Sequence, residues 1–292
     1  MIKVWCVTDD KAGHKNQLVG LVNALSRIQD VDCQWLSLHD KAAWPSKSGP
    51  TLIFAVGIST VVPALKLRWR YGGKMVLLMK PFWPLWLFDL CLFPRHDGVK
   101  PSKKVFNTIG AINPVTFSDQ SDPSRGLILI GGASIHYSWS DNKMVEQVLH
   151  LVKQQHDINW TLTTSRRTPK TFLPALEKAL ANADVIKNNK INLVPLEQTG
   201  GDWLQQQYRD CGVIWVSEDS VSMVYESLSS GAVTGVLNVP RLKDSRVSKG
   251  LDQLIVEGRV MRMESGKLIP ATLHEPLREA DRAAQIIVEQ LL

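Results

Sequence analysis

Apolar and polar positions alternate along the first part of the chain in a way that predicts strands and helices in turn. Residues 2–7 have the alternation of a strand, and a helical pattern follows whose apolar stripe runs from Leu18 to Ile28 at spacings of three and four. Strands that alternate with helices imply a mostly parallel sheet covered on both faces. The same patterns predict a helix at about 59–69 and strands at 33–38, 51–56, 74–79, 87–93 and 105–109.

A second run of strands and helices follows a polar stretch. Residues 119–126 are rich in turn formers and poor in apolar residues, which predicts a linker. We therefore predict an α/β protein with two Rossmann-like domains, at 1–118 and 127–275, that face each other across a cleft where a ligand binds. A C-terminal helix at 276–292 is available to pack back on the first domain. The second domain has predicted strands at 127–130, 159–163, 191–194, 212–216 and 232–236 and helices at 141–155, after Pro169 and from Val221.

The segment from Ser217 to Gly231 is the centre of the predicted site. It follows a buried strand and carries a helical pattern closed by glycine. Asp219, Ser222 and Glu226 fall on one stripe of that helix, at the carboxyl end of a strand, where open α/β sheets hold ligands. The free N–H groups at the helix start favour an anion, and a carboxylate further in suits sugar hydroxyls. The alternative is an ordinary capped helix with a solvated face.

The composition suits a two-domain protein with an anionic partner. The chain has 292 residues, 44% of them hydrophobic, which is enough for two cores of ordinary size. A net charge of +6 is compatible with a nucleotide, a phosphorylated lipid or a membrane surface and does not choose among them. No long Lys/Arg run and no known nucleic-acid-binding signature is present, so we expect no nucleic-acid partner.

The cysteines and the first residues predict a cytoplasmic protein without a cofactor. The four cysteines, at 6, 33, 91 and 211, lie far apart and are interpreted as buried thiols. Nothing resembles metal-ligand spacing. The first residues have a strand pattern and no signal-peptide pattern.

The most apolar stretch, Met75–Pro94, has about the length of a membrane span. It contains Lys80, Asp89 and three prolines, which makes a spanning helix a poor interpretation. The aromatic residues near Phe82 and Trp86 are compatible either with a buried loop or with contact at a membrane interface.

Two histidines are candidates for a general base. The loop Asp9–His14 presses two carboxylates and an imidazole together at the end of the first strand, and a carboxylate beside a histidine raises its basicity and fixes its tautomer. His96 and Asp97 form a second pair after a later strand. Each loop is also compatible with an inert polar turn.

Two loops of the second domain are candidates for binding a diphosphate. Gly131, Gly132 and Ser134 follow its first strand, and glycines allow a backbone to approach a phosphate, although the spacing matches no known phosphate-binding motif. Arg166 and Arg167 follow the next strand, beside several hydroxyls, and guanidinium groups match phosphate oxygens in pairs. The alternative for the arginines is a solvated basic loop.

Five of these stretches, in order, resemble the motifs of the elongated-mitochondria fission protein family and its bacterial relatives. The resemblance covers nearly the whole chain and implies a two-domain GT-B fold and glycosyltransferase activity, in some members tied to lipopolysaccharide core assembly. The stretches are Thr8–Gln17, Phe88–Asp97, Gly131–Tyr137, Thr164–Pro169 and Glu218–Met223.

The chain also resembles the undecaprenyl-diphospho-muramoylpentapeptide N-acetylglucosaminyltransferase in two places. That resemblance implies that Gly13 and His14 lie near the acceptor and that Glu226, in a helix before Gly231, holds the donor ribose. The first loop here lacks the glycine richness of that enzyme.

Departures from the fission-family pattern concern mainly the first domain. Its usual Pro-Glu-His-Asp is Pro-Arg-His-Asp at 94–97, its Asp-Pro-Arg is replaced by Met-Lys-Pro at 79–81, and its Gly-Gly-Pro-Ser is Gly-Gly-Ala-Ser at 131–134. The motifs at 165–168 and 218–223 are intact, which favours nucleotide-sugar binding over any particular catalytic base.

These observations predict a metal-independent glycosyltransferase that uses a nucleotide-sugar donor and a glycolipid or saccharide acceptor. We expect the enzyme to be cytoplasmic, with peripheral contact at the inner face of the cytoplasmic membrane as an option. The predicted catalytic residues are His14, Asp9, His96 and Asp97. Alternatives are a non-catalytic membrane-recruited adaptor of the mitochondrial-fission type and a nucleotide-sugar epimerase. The predicted donor-binding residues are Gly131, Gly132, Ser134, Ser165, Arg166, Arg167, Glu218, Asp219, Ser220, Ser222, Met223 and Glu226.

Overall fold

The chain forms two α/β units, Met1–Pro114 with Arg278–Leu292 and Val115–Leu277. The computed structural model describes residues 1–40, 44, 48–182, 191–264, 266–273 and 275–292. Its strands are β1 (Ile2–Thr8), β2 (Val31–Ser37), β3 (Leu52–Val56), β4 (Lys74–Leu78), β5 (Leu90–Pro94), β6 (Val105–Thr108), β7 (Asp122–Leu129), β8 (Asn159–Thr163), β9 (Ile191–Val194), β10 (Cys211–Ser217), β11 (Val233–Leu237), β12 (Met261–Glu264) and β13 (Lys267–Ile269). Its α-helices are α1 (Ala12–Ser26), α2 (Ile58–Tyr71), α3 (Asp141–Gln154), α4 (Phe172–Asn182), α5 (Trp203–Asp210), α6 (Val221–Ser230), α7 (Arg246–Val256) and α8 (Glu279–Leu291).

The first unit is built on a six-stranded parallel sheet in the order β2-β1-β3-β4-β5-β6. Every residue of the central strand β3, Leu-Ile-Phe-Ala-Val, is buried. A continuous apolar strand of this kind is what a parallel sheet covered on both faces requires. From β1 the chain steps to one side to form β2 and then to the other side to form β3, so the strand order reverses between β1 and β3.

The two faces of this sheet are covered differently. α1 and α8 cover one face, where Leu21 and Ile287 are fully buried in a single apolar cluster. On the other face α2 contributes the buried Val61, and the connection between β4 and β5 contributes Leu85 and Leu87. The second face is therefore covered by one helix and one irregular segment.

α8 belongs to the first unit although it ends the chain. Ala283 and Ala284 are fully buried in the same cluster as α1. At the start of the helix, the buried carboxylate of Glu279 accepts a hydrogen bond of 2.9 Å from the backbone N–H of Ile109 and pairs with Arg282. This contact attaches the beginning of α8 to the end of β6, because it satisfies a backbone donor that would otherwise lack a partner.

The second unit is built on a seven-stranded sheet in the order β13-β12-β11-β10-β7-β8-β9. Its strands are parallel except for β13, which pairs with β12 in the antiparallel sense. The chain adds β8 and β9 on one side of β7 and β10 to β13 on the other, so the order reverses between β7 and β10. The predicted α/β fold class with two Rossmann-like domains is confirmed.

The predicted linker at 119–126 is wrong over its second half. Residues 122–126 begin β7, where Asp122 pairs with Cys211 and a β-bulge follows. The polar turn formers are tolerated because this end of the strand is exposed. The first domain also ends earlier than residue 118: Ser118 N–H donates to Ser230, and the Phe117 ring packs on Gly231, both in the second unit.

Candidate functional site

The predicted polar residues lie where the strand order of each sheet reverses. In the second unit they follow β7 and β10, with further residues after the neighbouring β8. In the first unit Asp9 and His14 follow β1, at the reversal between β1 and β3, whereas His96 and Asp97 follow β5, away from it. The crevice outside the carboxyl ends of two such strands is the usual ligand position in an open α/β sheet.

Gly131 and Gly132 shape the second unit's crevice, but they do so by packing. The N–H of Gly131 donates to Ser217 Oγ at 2.7 Å and that of Gly132 to Asp219 Oδ2 at 2.9 Å. A Cβ at Gly131 would lie 2.1 Å from Asp219 Oδ2, and one at Gly132 would lie 2.0 Å from the carbonyl oxygen of Arg167. The sequence predicted that these glycines admit a phosphate, whereas their two N–H groups are engaged within the protein.

Arg167 ties the three loops of the crevice together. Its guanidinium donates to the Gly132 carbonyl at 3.0 Å and to Ser220 Oγ at 2.7 Å, and it forms an ion pair of 2.6 Å with Asp219. The Asp219 side chain is fully buried and that of Arg167 is 39% exposed. Asp219 therefore balances much of the Arg167 charge, whereas the neighbouring Arg166 is exposed.

Two of the predicted donor-binding serines, Ser134 and Ser165, form hydrogen bonds that hold the loops after β7 and β8. Ser165 Oγ donates to the Gly131 carbonyl at 3.0 Å, which joins the loop after β8 to the loop after β7. Ser134 Oγ accepts the backbone N–H groups of His136 and Tyr137, both at 3.2 Å. Ser165 Oγ also accepts the backbone N–H of Arg167 at 3.2 Å, so it is fully engaged within the protein, whereas Ser134 keeps its O–H as a donor.

The start of α6 has the properties of an anion-binding helix terminus. Ser220 is the residue before the helix, its side chain makes no capping bond, and the first turn contains no acidic residue. The first N–H groups of a helix have no intrahelical partner, and the helix dipole places partial positive charge there. Ser222 is exposed in this first turn and Met223 is partly buried.

Glu226 lies one turn further along α6 and is held by a buried tyrosine. Its carboxylate accepts a hydrogen bond of 2.9 Å from the hydroxyl of Tyr208, which is almost completely buried on α5. Burial raises the pKa of Glu226 to about 7, and the bond from Tyr208 offsets only part of that rise. Glu226 thus carries a proton more readily than an exposed glutamate does. It lies four residues after Ser222 and therefore on the same side of α6.

Glu218 is turned toward α7. Its carboxylate accepts hydrogen bonds from the Arg241 side chain and from the backbone N–H of Val239, and Arg241 forms a bidentate pair with Asp252 at 3.0 and 2.7 Å. Burial raises the pKa of Glu218, and the bonds from Arg241 partly counteract it. Arg241 therefore links Glu218 to Asp252 on α7. The sequence interpretation missed Arg241.

The first unit brings Asp9 and His14 into direct contact. Nδ1 of His14 lies 2.8 Å from Asp9 Oδ1, and Ser59 and Lys11 both reach Asp9 Oδ2 at 2.9 Å. Burial alone would raise the pKa of Asp9, but hydrogen bonds from Lys11, His14 and Ser59 outweigh it and hold the pKa well below its usual range. The imidazole lies on Gly57, whose φ is +77° and where a Cβ would be 2.5 Å from the ring.

This contact determines the tautomer of His14. An ionised carboxylate only accepts hydrogen bonds, so in the neutral ring Nδ1 carries the proton and the lone pair is on Nε2. The side chain of His14 is 18% exposed, which leaves the ring accessible. The arrangement is suited to accepting a proton at Nε2, since the Asp9 carboxylate stabilises the resulting imidazolium.

His96 and Asp97 lie apart from this pair. They form a short 3-10 helix after β5, where the Asp97 carboxylate accepts the backbone N–H of Lys80 at 3.3 Å. Two strands, β3 and β4, separate β5 from β1, which corresponds to about 14 Å at the usual strand spacing. Asp9 is thus the carboxylate that contacts His14, and Asp97 has a different environment.

Within the part of the chain that the structure describes, no helix combines the length and apolar character needed to cross a membrane. The same residues include no group of three or more His, Cys, Asp or Glu side chains placed to hold a metal ion. Cys6, Cys91 and Cys211 are buried free thiols, and Cys33 is partly buried.

Two Rossmann-like α/β units, each with polar side chains where its strand order reverses, define a protein of the GT-B fold class. The chain belongs to the mitochondrial fission ELM1 family, whose family model matches residues 12–291. This confirms the family resemblance of the sequence motifs. Among curated proteins, the uncharacterized protein RP120 of Rickettsia prowazekii (strain Madrid E) is 23% identical, with 98% of each chain covered.

Solved structures share the fold at low sequence identity. MurG from Acinetobacter baumannii has a TM-score of 0.53 and 13% identity, and the match covers 98% of this chain and 95% of MurG. The UDP-GlcNAc 2-epimerase from Methanocaldococcus jannaschii has a TM-score of 0.50 and 11% identity, with 98% and 99% of the two chains covered. At these identities the likeness concerns the fold.

Proposed function

We propose that this protein is a glycosyltransferase that moves a sugar from a nucleotide-sugar to a lipid-linked saccharide, such as lipopolysaccharide core, at the inner face of the cytoplasmic membrane. The observation that carries the proposal is the second unit's crevice, where Arg167 contacts the start of α6 at the reversal of strand order and Glu226 follows on the same helix. Diphosphate and ribose need these two kinds of group, cationic donors and a carboxylate.

The diphosphate of the donor binds at the start of α6. Arg166 supplies an exposed guanidinium, and Arg167 adds its partly exposed edge while Asp219 and Ser220 hold it in place. The first N–H groups of α6 supply further donors. When the glycosidic bond breaks, these groups stabilise the charge on the departing diphosphate, because hydrogen-bond donors aimed at developing charge lower the transition-state free energy.

Metal independence follows from this assignment. Guanidinium groups and a helix terminus supply the positive charge that a divalent cation supplies in other transferases. We expect turnover in excess EDTA to remain within about twofold of turnover with added Mg²⁺, a difference of less than 0.5 kcal/mol in the barrier. A loss of activity in EDTA that Mg²⁺ restores would contradict the assignment.

Glu226 and Ser222 bind the ribose. They lie four residues apart on α6 and therefore on the same side of the helix, one turn from the diphosphate position. Tyr208 holds one oxygen of Glu226 at 2.9 Å, which orients the carboxyl for ribose hydroxyls. A carboxylate accepts hydrogen bonds from two neighbouring hydroxyls in a geometry that neutral groups match less well.

His14 acts as the general base in the first unit. Its Nε2 takes the proton of the acceptor hydroxyl, and Asp9 stabilises the imidazolium that forms. The acceptor oxygen then bonds to the anomeric carbon as the bond to the diphosphate breaks.

Nucleotide titration of three arginine variants tests the donor site. UDP, GDP and ADP are titrated calorimetrically against the wild type and against Arg166→Ala, Arg167→Ala and Arg125→Ala. Arg125 is the matched control because it lies at the opposite end of β7 and pairs with Asp210. We expect Arg166→Ala to weaken binding of the preferred nucleotide about tenfold or more, as loss of a charge-assisted hydrogen bond does.

Arg167→Ala should weaken binding at least as much and also lower stability, because Arg167 joins three loops. Arg125→Ala should leave affinity unchanged. The donor site is refuted if none of the three nucleotides binds the wild type, or if Arg166→Ala and Arg167→Ala both bind as the wild type does.

Two other functions make different predictions. The shared fold with a UDP-GlcNAc 2-epimerase favours an epimerase as the second candidate, and an epimerase converts UDP-GlcNAc without any acceptor. A transferase leaves the sugar unchanged until an acceptor is added. A non-catalytic adaptor of the mitochondrial-fission type would do neither and would tolerate changes at Arg166 and Glu226.

A further inference from the structure

The connection between β4 and β5 crosses the first sheet without an α-helix and exposes several aromatic rings. Leu85 and Leu87 pack inward on the apolar cluster of that face. Phe82, Trp83 and Trp86 are instead 90%, 40% and 73% exposed. Residues 80–87 are termed the aromatic loop. Several solvent-exposed aromatic rings within a few residues of each other are typical of a surface that binds another protein or a membrane.

Cationic side chains are attached to both ends of the aromatic loop. At its start, Lys80 Nζ lies 3.5 Å from the carbonyl oxygen of Asp97. At its end, Lys104 Nζ donates to the carbonyl oxygens of Trp86 at 3.3 Å and Phe88 at 3.0 Å. These bonds place ammonium groups beside the exposed rings.

The surrounding stretch has an excess of positive charge. Both of its carboxylates are engaged within the protein, Asp89 with Arg68 at 3.0 Å and Asp97 with the backbone of Lys80. The connection from β5 to β6 lies next to the aromatic loop and adds most of the cations. Residues 80–104 contain these two carboxylates and five exposed cationic side chains, Lys80, Arg95, Lys100, Lys103 and Lys104.

We infer that the aromatic loop and the cations around it form a docking surface for an anionic lipid bilayer. Tryptophan and phenylalanine rings insert at the level of the lipid headgroups, and lysines beside them are attracted to anionic lipids. The two contributions act together, because one apolar insertion alone gives weak and reversible membrane binding. The inference deepens the proposed function, because it assigns the surface that holds the protein at the membrane, but the two can fail separately, since donor binding involves other residues in the other unit.

The composition of the surface favours a bilayer over a protein partner. Protein interfaces are enriched in aromatic residues and arginine but depleted in lysine. Here four of the five cations are lysines, and Lys104 is bonded directly to the backbone of the aromatic loop at Trp86. A lysine-rich rim around exposed tryptophans matches the charge of a negatively charged headgroup layer.

Vesicle co-sedimentation tests the inference on the full chain. The probes are vesicles of phosphatidylcholine alone and of phosphatidylcholine with 30% phosphatidylglycerol, roughly the anionic share that produces a strong surface potential. The variants are Phe82→Ser/Trp86→Ser, the conservative Phe82→Trp/Trp86→Phe, and Lys100→Gln/Lys103→Gln. The control is Val247→Ser/Val256→Ser, which removes two exposed apolar side chains from α7 of the second unit.

We expect the wild type, the conservative variant and the control to bind the anionic vesicles alike. The serine variant should bind about tenfold more weakly or worse, as loss of interfacial insertion implies. The lysine variant should lose about fivefold per lysine removed and show less dependence on salt. Binding of the serine variant equal to that of the wild type overturns the inference, and so does wild-type protein that sediments with neither kind of vesicle, an outcome that favours a protein partner.

Calorimetric nucleotide titration separates this result from the donor proposal. The serine variant should bind nucleotide as the wild type does, which also demonstrates that it folds. If wild-type protein binds vesicles but no nucleotide, the docking surface stands and the donor site fails.

Discussion

Replacement of Glu226 by glutamine should change how the protein's stability depends on pH. In the folded protein burial raises the pKa of Glu226 from 4.5 to about 7. The unfolded chain keeps the lower value, so between pH 4.5 and 7 the folded state holds a proton that the unfolded state has released. This contribution to stability is fully present below pH 4.5 and is lost as pH rises through 7. Glutamine keeps the shape and an acceptor for Tyr208 but does not titrate.

The size of the effect follows from the two pKa values. A rise from 4.5 to about 7 corresponds to about 3 kcal/mol, at about 1.4 kcal/mol per pKa unit. Part of this has already disappeared at pH 5, where the unfolded carboxyl is mostly ionised. We therefore expect the free energy of unfolding of the wild type, relative to that of Glu226→Gln, to fall by about 2–3 kcal/mol between pH 5 and pH 8.

Urea unfolding followed by circular dichroism at pH 5, 6, 7 and 8 measures this difference. Glu146→Gln is the matched control, because Glu146 is an exposed glutamate on α3 of the same unit. Its difference from the wild type should stay within about 0.5 kcal/mol at every pH, as for other surface substitutions. A constant difference between wild type and Glu226→Gln across the series would refute the reasoning, because Glu226 would then not bind its proton more tightly in the folded state.

Three further changes probe the first unit, the crevice and the C-terminal helix. His14→Gln should lower kcat about 10²- to 10⁴-fold by removal of the base, with unchanged nucleotide affinity. Because His96 lies apart from His14, His96→Gln should have little effect in the same assay. Gly131→Ala places a Cβ 2.1 Å from a buried aspartate oxygen, so urea unfolding should show a loss of about 1–3 kcal/mol. Glu279→Ala leaves the backbone N–H of Ile109 without its partner, so the free energy of unfolding should fall by about 1–3 kcal/mol and α8 should become susceptible to protease. Glu289→Ala, at an exposed position on the same helix, should have neither effect.

Much of the fold could be predicted because its central strands are short, wholly apolar and separated by turn formers. β3 and the second half of β7 have this pattern, which leaves few alternatives in an α/β chain. Helix ends were less predictable: Ile28 was assigned to the buried stripe of α1, but the helix ends at Ser26 and Ile28 is 51% exposed. The prediction also omitted α5, α7, β12 and β13. α5 is short and polar, and the start of α7 had a usable signal, the capping box between Ser245 and Ser248.

The candidate site was predictable where its partners are close in sequence. Asp9 and His14 are five residues apart, and one loop brings them together. The pairing of Glu218 with Arg241 was missed because it requires two separate strands to end side by side. The buried Tyr208 beside Glu226 belongs to α5, whose position no local pattern indicates. Periodicity predicts which face of an element is apolar, but it does not specify which polar groups meet across a sheet edge.

The return of α8 to the first unit has a consequence for biosynthesis. On the ribosome the first 114 residues emerge early, yet Leu21 and its neighbours on α1 lack their covering helix until residues 279–291 have been translated. The first unit is therefore incomplete while the whole second unit is being made, and its apolar face is available to chaperones or to other nascent chains. A fragment cut after Pro114 would retain that uncovered face permanently, so a separately expressed first unit needs residues 278–292 supplied, either fused or as a peptide.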